Sequence, residues 1–162
     1  MAKKLKQHRN VGEEYLQGVP VTLTQSISFP SRVVWNAMLD GLAWTEWLPL
    51  DSVEWTSEKP FGVGTTRTVQ LGNDVIKEEF FAWEDGKRMA FRFDASPFPL
   101  FAAVEDYRLQ DTSSGCDLLW TFKVSAIFPI SWILSRKLTS TLKKSLPKLE
   151  TLILANPERF GA

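Results

Sequence analysis

Residues 64–94 read GTTRTVQLGNDVIKEEFFAWEDGKRMAFRFD, three strand-like runs that are separated by two short turn sequences. Gly72-Asn73 and Asp85-Gly86 are dipeptides typical of two-residue β-hairpin loops. Because such a loop fixes the pairing of the strands on either side, the register of both hairpins can be counted from the sequence. The segment therefore predicts three consecutive antiparallel strands.

Both counts place the same side chains on one face of the predicted sheet. The first turn pairs Arg67 with Glu78, and the second pairs Glu78 with Phe93 and Ala82 with Met89. A cation and an anion are therefore expected on an inner surface that is otherwise apolar. The apolar members of that face are Val69, Leu71, Ile76, Phe80, Met89, Phe91 and Phe93.

The pair formed by Arg67 and Glu78 has two interpretations. Unpaired buried charges are costly, so the two groups could form an ion pair that only orients the hairpin. They could instead be the polar end of an apolar pocket, where the guanidinium meets a ligand carboxylate or carbonyl. If a reaction takes place there, Glu78 or Glu105 would act as general acid or base, and Arg67 or Tyr107 would stabilise an enolate.

Outside this segment, period-two and helical patterns predict the remaining elements. A strand is expected over residues 19–27, a helix over 31–39, and a second short helix at LAWTEWLP. After the apolar loop SPFPLFAA come the predicted strands VEDYRLQ and CDLLWTFKV, and then a long helix over about 130–155 with a stripe of leucines. Pro147 predicts a kink or a break in that helix.

A third charged residue, again a carboxylate, could also face inward. Alternation along VEDYRLQ groups Glu105, Tyr107 and Leu109, although a one-residue register slip would turn Glu105 outward. With seven Trp and eleven Phe, the aromatic side chains could also fill the interior as a solid core. The residues predicted to line a ligand cavity are Arg67, Val69, Ile76, Glu78, Phe80, Phe91, Glu105, Tyr107, Trp120, Leu138 and Leu142.

Several segments carry a resemblance to a known family: FPSRVVWNAMLD, LAWTEWLP, GVGTTRTVQL, IKEEFFAWEDGKRMAFRF, VEDYRL and GCDLLW. Their order resembles the helix-grip fold of the START-like superfamily and, more narrowly, the bacterial polyketide cyclase/dehydratase-like (SRPBCC) proteins. The resemblance implies an α+β fold in which a curved antiparallel sheet wraps around a long C-terminal α-helix, with two short helices after the first strand. It also implies a cavity for a hydrophobic ligand. We expect this single domain to span residues 19–156, between a flexible N-terminal arm (1–18) and a C-terminal tail (157–162).

Composition excludes several function classes. The 19 basic and 19 acidic side chains give no net charge, which argues against nucleic acid as a partner. His8 is the only histidine and Cys116 the only cysteine, so we expect no triad, no metal and no cofactor. The longest apolar run, AIFPISWIL, is too short to cross a bilayer. We expect no signal peptide, no stable membrane insertion, a cytoplasmic location, and a monomer or homodimer.

Three functions remain open. The first is binding or carriage of a small hydrophobic molecule such as a lipid, a polyketide or an aromatic compound. The second is a metal-free cyclase/dehydratase or isomerase whose candidate catalytic residues are Glu78, Arg67 and Glu105. The third is a module that binds a partner protein. The absence of histidine from residues 19–156 favours carriage over catalysis.

Overall fold

The computed structural model of the protein describes residues 3–162. Its strands are β1 (Lys6–Gln7), β2 (Leu23–Ile27), β3 (Ser52–Trp55), β4 (Thr66–Leu71), β5 (Asp74–Glu84), β6 (Arg88–Ser96), β7 (Ala102–Thr112) and β8 (Gly115–Ser125). Its helices are a short 3₁₀ helix (Glu13–Leu16) and α1 (Ser31–Leu39), α2 (Gly41–Trp47), α3 (Ile130–Ala155) and α4 (Pro157–Phe160).

The strands form one antiparallel sheet in the order β2-β8-β7-β6-β5-β4-β3, with β1 added beside β6. The long helix α3 lies against the inner face of this sheet, as the predicted helix-grip fold requires. It buries Leu142, Leu146, Leu149 and Ile153, which recur at the three- and four-residue spacing of one helix face. The break expected at Pro147 does not occur, since α3 is assigned as one helix from Ile130 to Ala155.

The first hairpin has the predicted register. Arg67 lies opposite Glu78, and the strands on either side of Gly72 pair without a shift. Arg67 is 3% exposed and Glu78 is also buried. The prediction that both charges point inward is therefore confirmed.

The turn of the second hairpin differs from the prediction. Glu84 pairs with Arg88, so the loop between β5 and β6 contains three residues instead of two. As a result Ala82 pairs with Ala90, and the predicted pairing of Ala82 with Met89 is wrong.

A β-bulge at Phe81 then restores the predicted pairing further along the strands. Phe80 lies opposite Phe91, and Glu78 lies opposite Phe93. The extra residue in the turn shifts the register by one in one direction, and the bulge shifts it back. The two offsets cancel, which is why the side chains of the inner face were assigned correctly.

Two residues of the expected flexible N-terminal arm are part of the sheet. Lys6 and Gln7 pair with Ser96 and Ala95 at the end of β6. The physical reason is that the pairing of β6 with β7 stops at Arg92, which leaves the end of β6 open to another strand. A two-residue strand has no periodicity that would reveal it in the sequence.

Two further elements were not predicted. Strand β3 pairs with β4 and places Trp55 opposite Arg67. The residues expected to form a C-terminal tail include α4, whose Phe160 is buried and accepts a hydrogen bond from Asn36 through its backbone carbonyl. Among residues 3–162, no helix has the length and apolar character needed to cross a membrane.

Candidate functional site

A cavity of about 440 Å³ lies between the inner face of the sheet and α3. The predicted cavity is therefore present, and the alternative of a completely filled core is wrong. The sheet contributes Arg67, Val69, Leu71, Asp74, Ile76, Glu78, Phe91, Phe93, Ala103, Glu105, Tyr107, Phe122 and Val124 to its wall. The remaining wall consists of Leu134, Lys137, Leu138, Thr141 and Leu142 from α3, and of Trp44, Leu48, Pro49, Leu50, Phe98 and Leu100 from α2 and the loops.

All predicted lining residues border this cavity except Phe80 and Trp120, for which the prediction is wrong. Both side chains are fully buried beside the cavity, on the same face of the sheet as their lining partners Phe91 and Tyr107. The ring of Phe80 packs 5.1 Å from that of Phe91, and the ring of Trp120 stacks 5.7 Å from that of Phe122. They support the wall without forming it.

Five of the lining residues outside the predicted list come from loops, namely Leu48, Pro49, Leu50, Phe98 and Leu100. Phe98 and Leu100 belong to the loop SPFPLFAA, whose apolar character was the available signal. This loop is fixed by the N-terminal segment, because the His8 ring lies 2.7 Å from Ser96 Oγ through Nε2 and 3.1 Å from the Leu100 carbonyl through Nδ1. The only histidine of the chain therefore contacts this loop at two points and holds it over one side of the cavity.

Arg67 is the cation of the cavity wall. Its Nε donates to Glu78 Oε2 at 2.5 Å. Its Cζ lies 4.3 Å from the ring centre of Trp44 and 4.5 Å from that of Phe91, so aromatic faces replace part of the lost hydration. The Nη1 atom of Arg67 is buried and has no hydrogen-bond partner among residues 3–162. The wall of the cavity therefore contains a guanidinium donor without a hydrogen-bond partner. This arrangement favours a ligand atom that can accept a hydrogen bond.

Glu105 is the second carboxylate of the wall, and it points inward. Its Oε2 accepts hydrogen bonds from Tyr107 Oη at 2.8 Å and from Trp120 Nε1 at 3.0 Å. The register slip that would have turned Glu105 outward is absent, because β7 pairs with β8 without a shift. The predicted polar residues thus meet at one place in the cavity wall.

Burial controls the proton affinity of these groups. It raises the pKa of Glu78 to about 7, an effect that the Arg67 charge opposes and the Glu105 charge increases. It also raises the pKa of Glu105, and that of Tyr107 lies well above its usual value. Glu78 can therefore take up or release a proton near neutral pH, which is the property that general acid–base chemistry requires.

We expect the free energy of unfolding to decrease between about pH 4.5 and about pH 7 because of Glu78. Its pKa is raised in the folded chain, so the folded chain retains a proton that the unfolded chain has released, and stability is lost as the pH rises. A shift of this size corresponds to at most about 3 kcal/mol. Urea unfolding of the wild type and of Glu78→Gln across this range measures it. Equal slopes for the two proteins would contradict the assignment.

The remaining reactive side chains lie elsewhere. Cys116 is buried in β8, and burial raises the pKa of its thiol to about 11, so the thiol stays protonated near neutral pH. Within residues 3–162, no three His, Cys, Asp or Glu side chains come together as a group that could hold a metal ion. The buried reactive groups of the cavity wall are therefore Glu78, Glu105, the Arg67 guanidinium and Tyr107, while Asp74, Lys137 and Thr141 are its less buried polar residues.

Comparisons with known proteins agree with this architecture. The family described as polyketide cyclase/dehydrase and lipid transport matches residues 19–153. An uncharacterized protein of Mycobacterium tuberculosis is 37% identical over 116 residues, which cover 68% of this chain and 70% of that protein. A crystal structure from Mesorhizobium loti superposes with a TM-score of 0.67 at 22% identity and covers 83% of this chain and 96% of its own.

A more distant structure has the same fold. DynU16, a protein from the dynemicin biosynthetic locus, superposes with a TM-score of 0.62 at 17% identity and covers 83% of this chain and 46% of its own. At these identities the solved structures establish the fold alone. The family match extends from the residues before β2 almost to the end of α3 and includes every polar residue of the cavity wall. This chain therefore belongs to the polyketide cyclase/dehydrase and lipid transport family of the START-like (SRPBCC) superfamily.

Proposed function

We propose that the protein binds a small hydrophobic molecule, with a hydrogen-bond acceptor at one end, in the cavity between the sheet and α3. The observation that carries this proposal is the apolar cavity of about 440 Å³ whose wall contains the unsatisfied Arg67 donor. Ligand sites are typically concave, mostly apolar and of roughly 300–1,000 Å³, with a few polar groups that fix orientation. Arg67, Glu78, Glu105 and Tyr107 would be those groups.

The charges of the wall favour a neutral acceptor over an anionic one. Glu78 already pairs with the Arg67 guanidinium, and Glu105 is close enough to raise the pKa of Glu78. A ligand carboxylate beside Arg67 would be the third carboxylate around a single buried cation, at a high electrostatic cost. A carbonyl or hydroxyl oxygen could accept from Arg67 Nη1 without that cost. A fatty alcohol, a polyketide carbonyl or an aromatic ketone has this chemistry.

The family description supports the same class of ligand. It names polyketide cyclase/dehydrase and lipid transport, and both are consistent with a lipid, polyketide or aromatic ligand.

Filling the cavity tests the proposal. Leu138 lines the cavity on α3, and Leu138→Trp should reduce the affinity for an apolar fluorophore by at least about tenfold, because the added ring occupies the ligand's place. Leu154→Trp is the matched control, since Leu154 lies on the same helix and is 64% exposed. Fluorescence titration gives the affinities, and native mass spectrometry with extraction identifies any copurified molecule. Equal affinities for both variants, or no saturable binding to the wild type, would reject the proposal and leave the protein-interaction module.

A second function is favoured by one observation, the pKa of about 7 at Glu78. In that case Glu78 would exchange a proton with the bound carbonyl compound, and Arg67 would stabilise the enolate oxygen. Glu78→Gln should then abolish conversion of the extracted molecule while its binding remains. Unchanged ligand after prolonged incubation with the wild type would leave binding or carriage as the function.

A further inference from the structure

Exposed apolar side chains are concentrated where β8 joins α3. We call Ile127, Phe128, Trp132 and Ile133 the apolar rim. All four are at least half exposed, from 50% for Ile133 to 77% for Phe128. They lie close together, because the Ile130 amide donates to the Ile127 carbonyl and α3 starts there. Loops and first helical turns seldom expose so many large apolar side chains unless another surface covers them.

The apolar rim adjoins the cavity. One turn further along α3, Leu134, Lys137 and Leu138 line the cavity wall. Lys137 is also exposed to solvent, so the cavity opens on this side of the helix. A surface that covered the rim would lie beside that opening.

The sequence that contains the rim is cationic, although the whole chain has no net charge. Between Asp117 and Glu150 it contains no acidic residue. Two cations lie on α3 within about one turn of the rim: Arg136, whose Cζ lies 5.2 Å from the ring centre of Trp132, and Lys137. Lys143, Lys144 and Lys148 follow further along the same helix, whereas Lys123 Nζ donates to the Tyr15 carbonyl.

We propose that this end of the molecule docks on the surface of an anionic lipid bilayer. The apolar rim would enter the headgroup region, and the neighbouring Lys and Arg side chains would face the lipid phosphates. Exposed aromatic and aliphatic side chains beside cations are the combination that peripheral membrane binding uses. A second copy of this chain fits less well, because a two-fold contact would bring the cations of one copy against those of the other.

This inference goes beyond the proposed function and does not depend on the identity of the ligand. It places the opening of the cavity at a lipid surface, where a hydrophobic molecule could pass between bilayer and protein without crossing water. Docking and ligand binding can be measured separately, so either can fail alone.

The test is sedimentation of the full chain with vesicles of phosphatidylcholine alone and of phosphatidylcholine mixed with phosphatidylglycerol. We expect binding to the mixed vesicles, much weaker binding to the neutral ones, and a decrease with added salt. Phe128→Ser should weaken binding about tenfold, and Lys137→Gln about fivefold. Leu154→Ser and Lys77→Gln are matched controls on other exposed surfaces and should bind like the wild type.

Hydrogen–deuterium exchange on mixed vesicles should show protection at residues 126–137. The exposed positions chosen for substitution leave the core intact, and a thermal melt for each variant verifies this. Absence of binding to any vesicle would overturn the proposal and leave the rim to a partner protein. Equal binding to neutral and anionic vesicles, or binding that Phe128→Ser leaves unchanged, would overturn it as well. Fluorophore binding measured without vesicles should be the same for Phe128→Ser and the wild type, which separates this test from that of the ligand site.

Discussion

A chain that ends before Ile130 should be unable to fold cooperatively. It would lose the side chains of α3 that are at most 2% exposed, namely Leu142, Leu146, Leu149 and Ile153. Each buried aliphatic side chain contributes about 1.5–3 kcal/mol. The total of about 6–12 kcal/mol is as large as the roughly 5–15 kcal/mol by which typical whole domains are stable. The inner face of the sheet would also be exposed to water, which promotes aggregation.

Circular dichroism and size-exclusion chromatography of the truncated chain measure this effect. The matched control is a chain that lacks only residues 161–162, which lie beyond the buried Phe160 and are exposed. We expect the control to melt like the full chain. A monomeric truncated chain with a sharp thermal transition would contradict the central role assigned to α3.

The second large effect is expected for Arg67→Met. Methionine retains apolar contact with Trp44 and Phe91 but leaves Glu78 buried without its partner. Removing one member of a buried ion pair costs about 3–5 kcal/mol. The loss should be smaller at acidic pH, where a protonated Glu78 no longer needs a cation. The substitution should also lower the affinity for the ligand, because it removes the proposed hydrogen-bond donor, Arg67 Nη1.

An exposed ion pair provides the control for this substitution. Arg32 and Asp85 form one, with side chains that are 58% and 65% exposed. Arg32→Met should cost less than about 1 kcal/mol, because solvent screens such pairs. Urea unfolding of both variants gives the comparison. If Arg67→Met and Arg32→Met lowered the free energy of unfolding equally, burial would not determine how much the Arg67–Glu78 pair contributes to stability.

The predictions from sequence were most accurate where local chemistry fixes geometry. Gly72-Asn73 determined the first hairpin and so placed Arg67 opposite Glu78. Strict alternation along β7 predicted that Glu105 and Tyr107 share the cavity wall. These two local signals are sufficient to place the polar residues of the site on one face of the sheet.

Features that depend on distant parts of the chain were not predictable. The pairing of β1 exists only because β7 leaves β6 early, and no pattern within Lys6–Gln7 reports this. Alternation tells which face of the sheet a side chain lies on, but not whether the side chain borders the cavity. Phe80 and Trp120 were therefore predicted to line the cavity although they are buried beside it. Which side chains border the cavity depends on how the sheet curves around α3, which is a tertiary property.

The three-residue turn of the β5–β6 hairpin and the bulge at Phe81 restrict how this hairpin can change length during evolution. Deleting one turn residue alone would shift the register of β5 by one residue. Glu78 would then point away from the cavity, because a one-residue shift moves every later side chain to the opposite face of the sheet. Losing the bulge alone would have the same result. Only a paired change leaves Glu78 facing Arg67 and the cavity. Functional relatives should therefore carry both irregularities or neither, and a single insertion or deletion in this hairpin identifies a homologue whose cavity has lost its acid.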